Sequence, residues 1–163
     1  MGLEIKLLLE TMPQTGIVRW IGLRPERRAT LLSVKEAHAI ADIGLQGDHF
    51  AGKPGAKRQV TLIQHEHLQT VASILGLEDA DPGLIRRNVV VSGINLLALK
   101  DKRFRIGEAL LETSGLCHPC SRMEENLGPG GYNAMRGHGG ITARVIESGT
   151  LAVNDKVEMY QPS

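Results

Sequence analysis

The chain has 163 residues, enough for one domain with a real core and too few for two comfortable ones, so a single domain over 1–163 is expected. A formal charge of +1 gives no global case for binding nucleic acid or an anionic membrane surface; any anion site must be local. Few aromatic residues and 19 glycines favour short strands and tight turns over a bundle of long helices.

Residues 1–10 have alternating character with an acid at Glu4, and lack the basic head, apolar core and small-residue cleavage site of a signal peptide. No apolar run approaches the length of a membrane span. Two cysteines without an export signal point to a reducing cytoplasm, where a close pair is more often catalytic, redox-active or metal-binding than a structural staple. Residues 16–23 (GIVRWIGL) alternate as a strand, and the basic run 24–28 (RPERR) breaks it. Residues 33–42 are ambiguous: Ser33 with Glu36 resembles a capping box, yet the run is short enough for a strand and turn. Gly44 and Gly47 bracket a turn that delivers Asp48 and His49 side by side.

Residues 51–56 (AGKPGA) read as a loop leading through Lys57 and Arg58 into a strand over 59–63. Leu68, Val71, Ala72 and Leu75 then recur at spacings of three and four before Gly76, the pattern of an amphipathic helix over 64–75 with its stop signal. A second loop covers 79–83, a short helical turn is expected at 84–85, and Arg86-Arg87-Asn88 enters the apolar strand 89–91. Residues 104–113 read as strand, turn and strand about Gly107-Glu108. From 124 to 140 the chain is polar and rich in glycine, which predicts a mobile excursion. Strands over 141–146 and 156–160, joined by turns around Gly149 and Asn154-Asp155, close the pattern. Many short strands with one firm helix predict a mainly β domain whose sheet curls or closes to hide its edges; a parallel βαβ fold would need more helices.

Chemistry concentrates in Leu116-Cys117-His118-Pro119-Cys120-Ser121-Arg122, which holds both cysteines. Thiolates are favoured beside cations, at helix N-termini and in Cys-x-x-Cys arrangements, and this segment offers all three. A structural zinc would need two more ligands from His38, His49, His65, His67, His118 and His138, and no second pair is suitably spaced, although His65 and His67 could pair on a strand or loop. A thioredoxin-like exchanger would need the pair to open the first helix of a βαβ unit, which the preceding pattern is not. The bland alternative is two half-buried small residues without chemistry. The basic clusters Arg24/Arg27/Arg28, Lys57/Arg58 and Arg86/Arg87 suit solvated surface, but each lies at a strand or loop junction, where guanidinium groups from separate segments can converge on a phosphate.

Taken in order, Gly44-Leu45-x-Gly47-Asp48-His49, Arg86-x-Asn88-Val89-Val90-Val91-x-Gly93, Ile106-Gly107-x-Ala109, Pro119-Cys120, Gly139-Gly140-Ile141-x-Ala143-Arg144-Val145 and Gly149-Thr150-Leu151-x-x-x-Asp155-x-Val157 resemble the MOSC family, over about 16–159. These domains are similar to the C-terminal part of molybdenum cofactor sulfurases. The resemblance implies a closed or partly closed β-barrel, of the pyruvate-kinase-barrel kind, with a few short helices. It also implies a cysteine that ligates molybdenum or handles sulfur, and Cys120 matches it; Cys117 is a second thiol that many short members lack. Arg86 and Asn88 match cofactor contacts, Arg58 lies at the position of a polar contact, and His118 sits between the cysteines. His49 stands where relatives usually carry an arginine, and Asn154 where they often have glycine.

The activities so implied are two, both for an enzyme. In one, molybdopterin bound through Cys120 reduces N-hydroxylated or related small compounds with electrons from a donor protein. In the other, Cys120 accepts sulfur as a persulfide from a pyridoxal-phosphate-dependent cysteine desulfurase, with Cys117 resolving it, and delivers it to a metal cofactor. A non-catalytic module that binds an anion at the barrel end is the third expectation.

Overall fold

The computed structural model describes residues 4–49 and 54–162. In chain order these form helix α1 (Ile5–Glu10), strands β1 (Gly16–Leu23), β2 (Leu32–Val34), β3 (Glu36–Ile40), β4 (Gly44–Leu45) and β5 (Val60–Gln64), then helices α2 (His65–Leu75) and α3 (Pro82–Ile85). Strand β6 (Val89–Ser92), a 3-10 turn (Leu96–Leu99), β7 (Arg103–Ile106) and β8 (Ala109–Leu116) follow. Helices α4 (Ser121–Leu127) and α5 (Gly131–Met135) and strands β9 (Ile141–Glu147), β10 (Gly149–Ala152) and β11 (Lys156–Met159) complete the chain.

Seven strands close into a barrel in the order β11-β7-β8-β9-β5-β6-β1, and β1 returns to β11 through Gly16↔Val157 and Ile17↔Lys156. Closure leaves the backbone donors and acceptors of those strands with neighbours on both sides, which removes the edges that an open sheet exposes. Strand β1 is the seam. Gly16 and Ile17 pair with β11, Ile17 to Ile21 pair with β6 across an irregularity between Val18 and Trp20, and the last three residues pair with β2. Strands β10, β3 and β4 form a small separate sheet.

One pair departs from the antiparallel rule. Strands β5 and β6 run parallel, Leu62 opposite Val89, and α2 with α3 makes the crossover between them. That helical cover explains the unbroken apolar run at 89–91: alternate residues of β5 and β6 fill the barrel while the others face α2, so both faces are buried. The barrel interior holds Val18, Ile21, Leu62, Val89, Val91, Phe104, Ile106, Leu111 and Val145. A second cluster outside the barrel joins Ile63 and Val90 to Leu68 and Val71 of α2, Met123 of α4, and Ala134 and Met135 of α5.

The helix expected over 64–75 forms as α2, ended by Gly76 in the left-handed region (φ 71°). The expected turn at Gly107-Glu108 joins β7 to β8. Residues 33–42, left open by the sequence between a capped helix and a strand with a turn, are strand and turn, because Ala37 and Ala39 alternate inward and β3 pairs with β10. Two expectations change. Gly149 opens a strand rather than a simple turn. Residues 124–140 are not a loose excursion: two helices stand there, because Met123, Ala134 and Met135 bury against α2 while Glu124 accepts the N–H groups of Gly130 and Tyr132. The start forms a helix, α1, with no buried residue. Of the loop expected at 51–56, residues 51–53 lie outside the described residues; 54–55 are turn. No helix among the described residues is long and apolar enough to cross a membrane.

Candidate functional site

Strand β8 pairs with β9 as far as Leu116↔Ile141, and the ladder is extended by the Cys117 N–H donating to the Gly140 carbonyl at 2.9 Å. The cysteine segment is therefore delivered at the barrel end beside Gly139-Gly140. The two glycines are required by contact: a Cβ on Gly139 would collide with the Cys117 carbonyl oxygen, and one on Gly140, at φ 85°, with the Leu62 carbonyl oxygen.

Arg87 holds this junction from inside. It is 2% exposed, and its Nε donates to the Gly139 carbonyl at 2.8 Å, Nη1 to Ile85 at 3.0 Å and Nη2 to Cys117 at 3.4 Å. These carbonyls satisfy hydrogen bonds but carry no negative charge, and no carboxylate pairs with Arg87 among the described residues. Burial holds the guanidinium below its ordinary pKa. Cys117 opposes that drop, Arg58 adds to it, Cys120 opposes it and Arg86 adds to it. Both cysteines, Arg58 and the adjacent Arg86 thus interact electrostatically with one buried cation, an arrangement that favours negative charge nearby.

The two thiols differ. Cys120 is exposed and is the N-cap residue of α4, whereas Cys117 is buried. His118, between them, is exposed and lines a cavity of about 220 Å³ together with Cys117, Pro119, Gln64 and His67. A second concavity, of about 150 Å³, shares no lining residue with the first and is lined by Arg28, Arg86 and Arg122 with Asn126. Arg122 forms an exposed ion pair with Glu125 at 3.2 Å. Arg28 and Arg86 make no hydrogen bond or ion pair among the described residues, and both adopt positive φ (67° and 63°), a conformation uncommon outside glycine.

Asn88 and His49 belong to an inner lattice. Asn88 Oδ1 accepts from the Thr61 N–H (3.0 Å) and hydroxyl (3.2 Å), and its Nδ2 donates to the Gly22 carbonyl and to Asp48 Oδ1, each at 3.1 Å. The side-chain amide is thereby filled from within the protein, tying β1, β5 and β6 to the Asp48 turn. Asp48 Oδ1 also accepts the Arg24 N–H, and the His49 N–H donates to the Arg24 carbonyl at 2.6 Å. Arg58 is exposed ahead of β5. The residue that sequence reasoning left out of the site is Arg87. Its neighbour Arg86 carried the motif match, and adjacency alone could not tell which guanidinium points inward. His65 and His67 do not build a zinc site with the cysteines, since no group of three or more His, Cys, Asp or Glu side chains gathers among the described residues.

A family model described as MOSC domain matches residues 46–158. Among solved structures, the fold is similar to the YuaD protein from Bacillus subtilis, at a TM-score of 0.78 and 20% identity over 93% of this chain and 100% of that one. It is also similar to YiiM from Escherichia coli (TM-score 0.67, 19% identity, 90% of this chain and 71% of that one). YiiM from Geobacillus stearothermophilus matches at 0.64 and 18% identity, over 91% and 76%. No curated protein matches the chain by sequence.

Proposed function

We propose, since this chain belongs to the MOSC domain family and that family is associated with the molybdenum cofactor, that the barrel end binds a molybdopterin through Cys120 and serves the reduction of small N-hydroxylated or related compounds. The observation that carries the reading is the exposed Cys120 at the start of α4, on a segment that buried Arg87 fixes to the barrel end, with Arg122 two residues on and lining a concavity with Arg28 and Arg86. Soft sulfur for the metal beside hard cations for the phosphate is a consistent donor set. When bound, the group supplies the redox chemistry.

The chain's own residues have narrower tasks. Cys120, exposed at the start of α4, offers the sulfur ligand. Arg86 and Arg28, without protein partners among the described residues, and Arg122 hold the phosphate in the arginine-lined concavity, with Arg58 adding charge from the loop before β5. Arg87 keeps the cysteine segment in place by its bonds to the backbone on either side. Electrons come from a donor protein. Reconstitution with molybdopterin followed by metal analysis tests this: one molybdenum per chain is expected, lost in Cys120→Ser and weakened about tenfold or more in Arg86→Gln, a change of the size of one charge-assisted contact. Equal metal retention by Cys120→Ser would refute the ligand assignment.

The exposure of Cys120 also favours a second reading, in which it carries sulfur. Its thiolate would attack the outer sulfur of a desulfurase persulfide; a new S–S bond forms at Cys120 as the donor's breaks, releasing the donor thiolate. Mass spectrometry after incubation with a cysteine desulfurase and cysteine should then show one added sulfur on Cys120, and an unmodified residue would dismiss it.

A further inference from the structure

Cys117 is 2% exposed yet forms part of the wall of the cavity of about 220 Å³. That volume is below the roughly 300–1,000 Å³ of sites for drug-sized ligands, so its occupant must be of fragment size. The wall is largely apolar, supplied by Leu96, Ile141 and Pro119 among others, with the backbone of Gly139-Gly140 alongside. No Asp, Glu, Lys or Arg lines it among the described residues.

Two inner polar groups remain. Gln64 is 9% exposed; its Oε1 accepts the Leu96 N–H at 3.2 Å, while its Nε2, without a protein acceptor among the described residues, keeps access to solvent, and the side chain stands between this cavity and a neighbouring concavity lined by Glu66, Gly93 and Asn95. His67 meets His138 edge to face, with ring centroids 5.1 Å apart. Burial, then the neighbouring His138, holds His67 below its ordinary pKa, and Glu66 only partly reverses this, so the imidazole is neutral near pH 7. Arg87 lies behind the wall with its N–H groups already spent on the carbonyls of Gly139, Ile85 and Cys117, so a carboxylate entering here would lose its hydration without a direct hydrogen bond from a cation, which disfavours anions. An uncharged acceptor would instead replace water on the Gln64 amide donor without bringing a charge to desolvate.

We infer that this cavity is a second ligand site, for a small uncharged molecule with an apolar body and one hydrogen-bond acceptor, held against the Cys117 thiol with its acceptor on the Gln64 amide. The site stands apart from the cofactor reading, because neither Cys120 nor any arginine lines it.

The test uses the full chain carrying Cys120→Ser, in which Cys117 is the one remaining thiol. Benzamide is the probe and benzoate its anionic isostere. Benzamide is expected to bind at about millimolar Kd, as a fragment does, to shift the amide resonances of Gly139 and Gly140, and to slow alkylation of Cys117 by iodoacetamide about tenfold at ten times its Kd. Adding Gln64→Glu keeps the acceptor for Leu96 but replaces the open donor, and Leu97→Trp narrows the rim without touching Gln64; each should abolish the protection while benzoate gives none. If Gln64→Glu fails to fold, Leu97→Trp decides. Unchanged resonances and alkylation with benzamide, equal protection by benzoate, or protection that survives in the folded variants would overturn the inference.

Discussion

Gly139 and Arg87 both meet the cysteine segment at the Cys117 carbonyl. The glycine leaves room for the Cys117 carbonyl, and the guanidinium binds that carbonyl as well as that of Gly139. Gly139→Ala therefore introduces a backbone collision that no side-chain rotamer relieves. It should destabilise the protein by about 1–3 kcal/mol, the usual range for overpacking, read from urea unfolding. Because the displaced segment ends in Cys120, the same variant should alter the alkylation rate of that thiol, whereas a remote destabilising change should not. An unaltered rate with normal stability would show that the contact is not made.

At the scale of elements, the connection from α4 to α5 depends on one carboxylate. Glu124 accepts from the Gly130 N–H at 2.9 Å and the Tyr132 N–H at 3.0 Å, and those two bonds, the Tyr132 one first, hold its pKa below the ordinary 4.5. A lowered carboxylate pKa contributes stability that is fully present above about 4.5 and is lost as pH falls through the folded-state value. Glu124 is exposed, so the effect is local rather than global. Hydrogen exchange at the Gly130 and Tyr132 amides should accelerate relative to neighbouring amides in mild acid, after correction for intrinsic rates, and in Glu124→Ala at neutral pH. Protection that persists in that variant would assign the order of this turn to the Met123, Ala134 and Met135 packing alone.

The described residues form a closed ring of strands around an aliphatic core, with a small second sheet and with α2, α4 and α5 packed over the β5–β6 sector. Phe104 is a fully buried aromatic within that core, packed among aliphatic residues. Phe104→Ala should cost about 3–5 kcal/mol, because a closed barrel has limited freedom to collapse onto the void. Thermal or urea denaturation checks it, and a loss below about 1 kcal/mol would show that the barrel relaxes more freely than close packing implies. The parallel β5–β6 pair gives the ring its asymmetry: α2 must lie outside it, and α4 and α5, which follow the cysteines, pack onto α2 in turn.

Much of this was legible in the chain. Alternation marked β1, a turn between apolar runs marked β7 and β8, spacings of three and four marked α2, and ordered short motifs carried the family, since all of these are local signals that a linear sequence records. The sequence also singled out the Cys117–Cys120 segment and the three arginine junctions. Three things it could not decide. Glycine counts at 124–140 said loop, but burial against α2 made helices, a non-local gain that outweighs composition. Strand β10 depends on a partner more than a hundred residues away, β3, so no neighbouring residue announces it. And of the adjacent Arg86 and Arg87, only closure of the barrel sends one guanidinium into the interior, among the carbonyls of Ile85, Cys117 and Gly139, because burial is a property of the space between segments and not of either residue.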